Sequence, residues 1–340
     1  GDPDEALAVF TRVLAASFRL GARGKGGAAL NRIARVHRAR GEDERAHAVL
    51  IRALDLFRGA GDLRGVAATL DDLAQIVRLR GDLDGAMGAA SEALQIRQGH
   101  GDARGEAVSL MTIAGIEHSR GNLEAAMRAA ETALETRQRV GDRAGIAQTL
   151  NTLGAIAFER GEVERAETAW REALQAARET ADRRTQTFIL NNLGESLSEL
   201  GRHEEARIFL LEARAHAHEA GDKRMIAEVE RNLGLIALRR GEDEADAMLA
   251  RALELAQDYG AREAIANAQR AIGTLRSRTL FDASGAVDRR AEEAYLQAID
   301  GFRDIGMEKD AARALADLGQ HLLERGDVDG ARDRLREARS

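Results

Sequence analysis

The sequence contains no cysteine, so it carries neither a disulfide framework nor a thiolate metal site. No apolar run approaches the length of a membrane span, and no signal-peptide pattern opens the chain. An excess of positive charge is also missing. With 50 basic and 57 acidic residues the net charge is −7, which gives no general attraction to nucleic acid or to an anionic membrane. A cytoplasmic setting follows as the expectation, with no nucleic acid and no membrane among the partners. The single proline, Pro3, sits where proline is tolerated, at a helix start.

What the sequence does hold is repetition. The segment Gly141 to Ala181 contains two apolar-periodic stretches joined by a short Gly-Glu turn. In the first, Ile146, Leu150, Leu153, Ile156 and Ala157 recur at three- and four-residue steps, the period of one helical face. In the second, Ala166, Ala169, Trp170, Ala173, Leu174 and Ala177 form a matching stripe. Neither helix can bury its stripe against one neighbour, so the hairpin needs copies of itself on both sides. Shifting the chain by forty residues supplies them, with turn glycines at Gly41, Gly81, Gly121, Gly161, Gly201 and Gly241 and inter-hairpin glycines at Gly21, Gly61, Gly101, Gly141 and Gly221. A fixed period in this range marks a helical solenoid. Its repeats contact only their neighbours, so residues 1–340 read as one elongated domain although they exceed an ordinary globular core.

In chain order, residues 1–20 match the second helix of a hairpin whose first helix is missing. Their stripe of Leu7, Phe10, Val13 and Leu14 is expected to lack part of its cover, and self-association through this helix is expected. Six regular repeats follow over 22–260. Most joints read Gly-Asp or Gly-Asn, a left-handed helix stop followed by a capping side chain. At 181–182 the pair is Ala-Asp, which keeps the cap and loses the glycine. The repeat at 261–306 carries six extra residues at its turn, read as a lengthened surface turn or as a contact loop with Arg276, Arg278, Leu280 and Phe281. The last repeat, 307–340, ends on a short second helix.

The repeat resembles the tetratricopeptide repeat. The pattern of Leu-Gly, Ala, a bulky residue and Ala stands as Leu153, Gly154, Ala166, Trp170 and Ala173. It recurs as Leu193, Gly194, Ala206, Leu210 and Ala213, and as Leu233, Gly234, Ala245, Leu249 and Ala252. The family's usual closing proline is replaced by Gly-Asp, and the period is forty residues in place of thirty-four. This longer form resembles the repeats of Pins-type polarity adaptors, of kinesin light chains and of bacterial multidomain regulators and kinases. The resemblance implies an all-α, right-handed α-solenoid of tandem helical hairpins.

Catalytic constellations are not found, and no enzyme activity, cofactor or metal is expected. Gly21 to Gly27 lacks the spacing, the Ser or Thr and the preceding strand of a phosphate-binding loop. His216 and His218 fall on different helical faces, and His203 lacks the second histidine of a zinc-binding helix. The carboxylates recur as i, i+4 partners of arginines, as on solvated helices.

The resemblance implies that the free face of each first helix lines a concave groove. The first two complete hairpins place Asn31, Arg35 and Arg38, then Asp71, Gln75 and Arg78 on it. The middle of the array contributes Met111, His118, Gln148, Asn151 and Phe158, and the later repeats Phe188, Asn191, Glu195, Glu228, Arg231 and Leu235. Arginines clamp carboxylates, asparagines bond a peptide backbone at both donor and acceptor, and apolar residues seat side chains. The function expected is a protein interaction scaffold that holds a peptide or helical segment. Its acidic stretch would lie over the arginines, and its apolar anchor near Met111, Phe158 and Phe188. The alternative is a ligand-sensing or autoregulatory module of a larger bacterial signalling protein, a transcriptional regulator or kinase.

Overall fold

The computed structural model describes residues 3–278 and 289–338. Where the sequence reads as one array, the contacts cluster into two compact units, Gly1–Thr180 and Ala181–Ser340. In the first unit α1 (Pro3–Arg19) packs on the hairpin α2 (Arg23–Ala39) and α3 (Asp43–Ala60). The hairpins α4 (Leu63–Leu79) with α5 (Leu83–Gly99), α6 (Ala103–Ser119) with α7 (Leu123–Arg139), and α8 (Arg143–Glu159) with α9 (Val163–Glu179) follow. The second unit comprises α10 (Arg183–Glu199) with α11 (His203–Ala220) and α12 (Lys223–Arg240) with α13 (Ala245–Tyr259). It continues with α14 (Arg262–Arg276) with α15 (Arg290–Asp304), and α16 (Glu308–Glu324) with α17 (Val328–Glu337). Among the described residues these seventeen helices are all the regular structure, with no strand, so the expected all-α solenoid of hairpins is what the chain forms.

The forty-residue pattern becomes geometry at the hairpin crossings. Ala46, Ala86, Ala126, Ala166 and Ala206 are all 0% exposed, because only a methyl fits where the two helices of a hairpin meet. On the opposite helix the glycines leave space for one bulky side chain each. A methyl placed on Gly154 would stand 2.6 Å from Trp170 Nε1, and one on Gly194 would stand 2.4 Å from Leu210 Cγ. Gly234 faces Leu249 and Gly273 faces Tyr295 in the same way. Close approach, not conformational freedom, is what demands glycine there.

The joints are demanding in the other sense. Outside the joint between α14 and α15, the residue that ends each helix at a joint takes positive φ among the described residues, and at all but one it is glycine. The exception is Ala181, which adopts φ 53° without that freedom. At many joints the next residue then caps the following helix, as Asp62, Asp82, Asp102, Asp142, Asp182 and Asp222 do by accepting from a backbone N–H three residues on, whereas Asn122 makes no such cap. Neighbouring hairpins are stitched on the turn side by ion pairs 36 residues apart, Arg40 with Asp4, Arg80 with Glu44 and Arg120 with Asp84 in the first unit. Each is solvent-exposed and contributes roughly 0–1 kcal/mol.

The structure bears on two further expectations. Leu7, Phe10 and Leu14 pack partly buried against the core of α2 and α3, with Arg32 over the Phe10 ring, while Val13 of the same stripe is exposed. The exposed apolar side chains of the first helix are Val9, Val13 and Phe18, continued by Leu20. At the lengthened turn, Arg276 is paired with Asp246 at 2.6 Å, while Leu280 and Phe281 lie outside the described residues.

Candidate functional site

Several first helices also touch the first helix of the next hairpin, α2 with α4, α4 with α6, α10 with α12 and α12 with α14. These lines of contact decide which of the expected groove residues are available. Asn31, Asp71 and Asn191 stand on the lines themselves and are buried, at 9%, 2% and 5% exposure. Asn31 exchanges hydrogen bonds with Thr69 on the next first helix at 3.0 and 3.2 Å. Asn191 accepts from Asn232 at 2.9 Å. Asp71 receives Arg97 at 2.8 Å and the Ser109 hydroxyl at 3.2 Å, and its second oxygen has no partner among the described residues. These three side chains hold hairpins together, and the expectation that they face a groove is corrected for that reason. Burial dominates the Asp71 carboxyl and pushes it up to about 6, with the Arg97 charge pulling the other way.

One turn further along, the side chains remain accessible and reach from helix to helix. Arg35 pairs with Asp72 at 3.2 Å, Arg38 donates to the Gln75 amide oxygen at 2.6 Å, and Arg78 donates to the Ser119 hydroxyl at 2.8 Å. Arg35 is thus already neutralised. Arg38 and Arg78 meet only neutral partners among the described residues, and burial together with the Arg38 charge pulls the Arg78 guanidinium below its usual range. Two cations therefore lie side by side with no carboxylate between them. His118 pairs with Glu159 at 2.7 Å, which closes this row.

The apolar candidates each have their own neighbours. Met111 is half-buried among Ala107, Leu110, Ala133 and Leu94. The half-buried Phe158 packs on Trp170 with ring centroids 5.8 Å apart, and the Trp170 indole N–H donates to the Asn151 carbonyl. Phe188 belongs to the other compact unit, where Arg184 stands 5.9 Å from its ring. Gln148 is exposed, and its carbonyl accepts from Thr152.

In the second unit Asn191, Glu195, Glu228 and Arg231 do come together, on the wall of one cleft across α10, α12 and α14. A cavity of about 300 Å³ adjoins it, lined by Glu195, Arg231 and Leu235 together with residues that sequence reasoning missed, chiefly Asn232, Arg239, Asn267, Arg270 and Asp317. Asn232 was legible in principle, since it stands forty residues after Asn192 before the same Leu-Gly pair. Asn267 and Arg270 follow a hairpin that is one residue short at its turn, which blurs their register. Among the described residues no three His, Asp or Glu side chains are placed to hold a metal, and no helix is long and apolar enough to cross a membrane.

A family model described as tetratricopeptide repeat matches residues 27–99, 105–179 and 145–219. No curated protein matches the sequence. Among solved structures the chain is similar to aspartyl phosphate phosphatase F from Bacillus subtilis, at 14% identity and TM-score 0.66, over 86% of this chain and 74% of that one. It is similar to the apo form of the quorum sensor NprR from B. thuringiensis, at 12% identity and TM-score 0.64, over 98% and 97% of the two chains. A third likeness is to the Rap conjugation gene regulator of plasmid pLS20 in complex with the Phr* peptide, at 13% identity and TM-score 0.66, over 99% and 93%. At these identities the likeness is one of fold.

Proposed function

Because this chain belongs to the tetratricopeptide repeat family, we propose that its first-helix face is a protein interaction surface that binds a peptide or helical segment of a partner. The observation that carries the proposal is the side-by-side pair Arg38 and Arg78, joined to neutral Gln75 and Ser119 on a chain whose net charge is −7. A locally positive, globally negative surface selects an acidic segment and repels most other protein surfaces. The complex of the pLS20 regulator with a peptide, in a protein of similar fold, supports this choice of ligand. The role is one of binding, without chemistry on the ligand, and the setting proposed is cytoplasmic.

Selection of displayed random peptides on the intact protein tests the proposal. Acidic sequences should be enriched. Their affinity should fall with added salt, and Arg38→Gln with Arg78→Gln should bind roughly tenfold more weakly with a flatter salt dependence, since charge-assisted contacts are lost. Equal binding by the two proteins would refute the assignment of these arginines.

A further inference from the structure

The cavity of about 300 Å³ in the second unit is lined by charged side chains of both signs. Six charged side chains line it. Four are neutralised in place, Arg239 by Glu199 at 2.8 Å and Arg270 by Asp317 at 2.7 Å. The other two, Glu195 on α10 and Arg231 on α12, face the same space and form no ion pair with each other or with any described residue. Arg231 is held in place, because its Nη2 donates to Asn232 Oδ1 at 2.9 Å and Asn232 in turn donates to Asn191 at 2.9 Å. Its Nε–H is nevertheless buried with no acceptor. A buried donor left in this state lacks a partner that native interiors almost always supply. On the wall of the same cavity, Asn267 on α14 presents an amide that makes no hydrogen bond among the described residues.

One free cation, one free anion and a free amide, on three successive first helices, are the complement of a molecule with the same three features. We propose that this cavity receives a short peptide carrying one anionic and one cationic group, with its carboxylate on Arg231, its ammonium on Glu195 and its backbone on Asn267. The inference rests on the reading of the first-helix face as peptide-binding, and it adds the class of ligand and the residues that select it. A phosphate or nucleic acid fits poorly, since its multiple negative charges would meet Glu195 with a single free arginine to offset them. The volume lies at the lower end of small-ligand sites, which suits a peptide of a few residues.

Isothermal titration of the intact protein with alanine peptides of two to five residues tests this. Each length is offered with free ends, with the amino end acetylated, and with the carboxyl end amidated. The free-ended form of at least one length should bind roughly tenfold more tightly than either blocked form, as expected where each block removes a charge-assisted contact. In Arg231→Gln the amidated and free forms should become equal, while Arg231→Lys, which keeps the cation, should retain part of the difference. In Glu195→Gln the acetylated and free forms should become equal. Unchanged thermal melts for these variants, read by circular dichroism, make the outcome one of recognition and not of folding. Equal binding of free and blocked peptides by the native protein, or no binding at any length, would overturn the proposal and leave the Arg38 and Arg78 test standing. Failure of both would overturn the peptide-binding reading of the whole face.

Discussion

Replacing Gly154 by alanine adds one methyl against the indole of Trp170. The new carbon would lie 2.6, 2.7 and 2.8 Å from three atoms of the Trp170 indole, all below any van der Waals distance. Trp170 is 3% exposed and is held by its hydrogen bond to the Asn151 carbonyl and by the Phe158 ring, so it cannot swing into solvent. Overpacking of this kind costs about 1–3 kcal/mol, and displacing the indole N–H forfeits about 1 kcal/mol more. Alanine regains up to about 1 kcal/mol through helix propensity. The net expectation is a loss of about 1–3 kcal/mol. Gly115, in the interior of α6, is the control, because a methyl there meets nothing within 4 Å. Gly115→Ala should stabilise by roughly 0.5–1 kcal/mol. Trp170 is the chain's one tryptophan, so its fluorescence during urea unfolding reports on the α8–α9 hairpin itself. A Gly154→Ala protein as stable as the native one, or an equal loss in Gly115→Ala, would refute the packing argument.

Three further predictions follow from the same geometry. With Asp71 pushed up from 3.8 to about 6 by burial, the folded chain binds that proton more tightly than the unfolded one, so its contribution to stability is complete below pH 4 and lost as pH rises through 6. Relative to Asp71→Asn, the native protein should therefore lose about 2 kcal/mol between pH 4 and 7 in urea unfolding, and a pH-independent difference would contradict the burial of this carboxyl. Ala181→Gly should stabilise the second unit by about 1 kcal/mol, because it removes the strain of a left-handed alanine; a destabilised variant would mean that the methyl packs usefully. Sedimentation should show concentration-dependent association through the exposed Val13 and Phe18 of α1, abolished by Val13→Glu with Phe18→Glu, whereas Phe10→Glu should instead lower the melt because Phe10 packs against the core. A monomer at all concentrations before mutation would sink the association.

The repeat was legible in the sequence because its signals are local. A glycine at a positive-φ joint, an aspartate that caps the next helix and an alanine at the crossing each follow from the identity of one residue. The proposed binding face was legible only by half. Arg38 and Arg78 lie where their spacing put them, but Asn31, Asp71 and Asn191, drawn from the same register, turn into the line where two first helices meet. What buries them is a side chain of the next first helix, Thr69, Ser109 and Asn232, which stand 38, 38 and 41 residues on, and that relation joins two repeats and is invisible within one. The combination of Asp71 with Ser109 and Arg97 could have been suspected, since a buried carboxylate needs such partners. The cavity between Glu195, Arg231 and Asn267 had no signal of that kind. Its distinguishing feature is the absence of pairing, and pairing is fixed by side-chain geometry that the spacing does not encode.

The claim that the first-helix face is the binding surface is tested most directly by hydrogen exchange of the intact protein with and without a selected acidic peptide. Slowed exchange is predicted along α2, α4 and α6, with α3, α5 and α7 unchanged. Protection confined to the second helices would contradict the account.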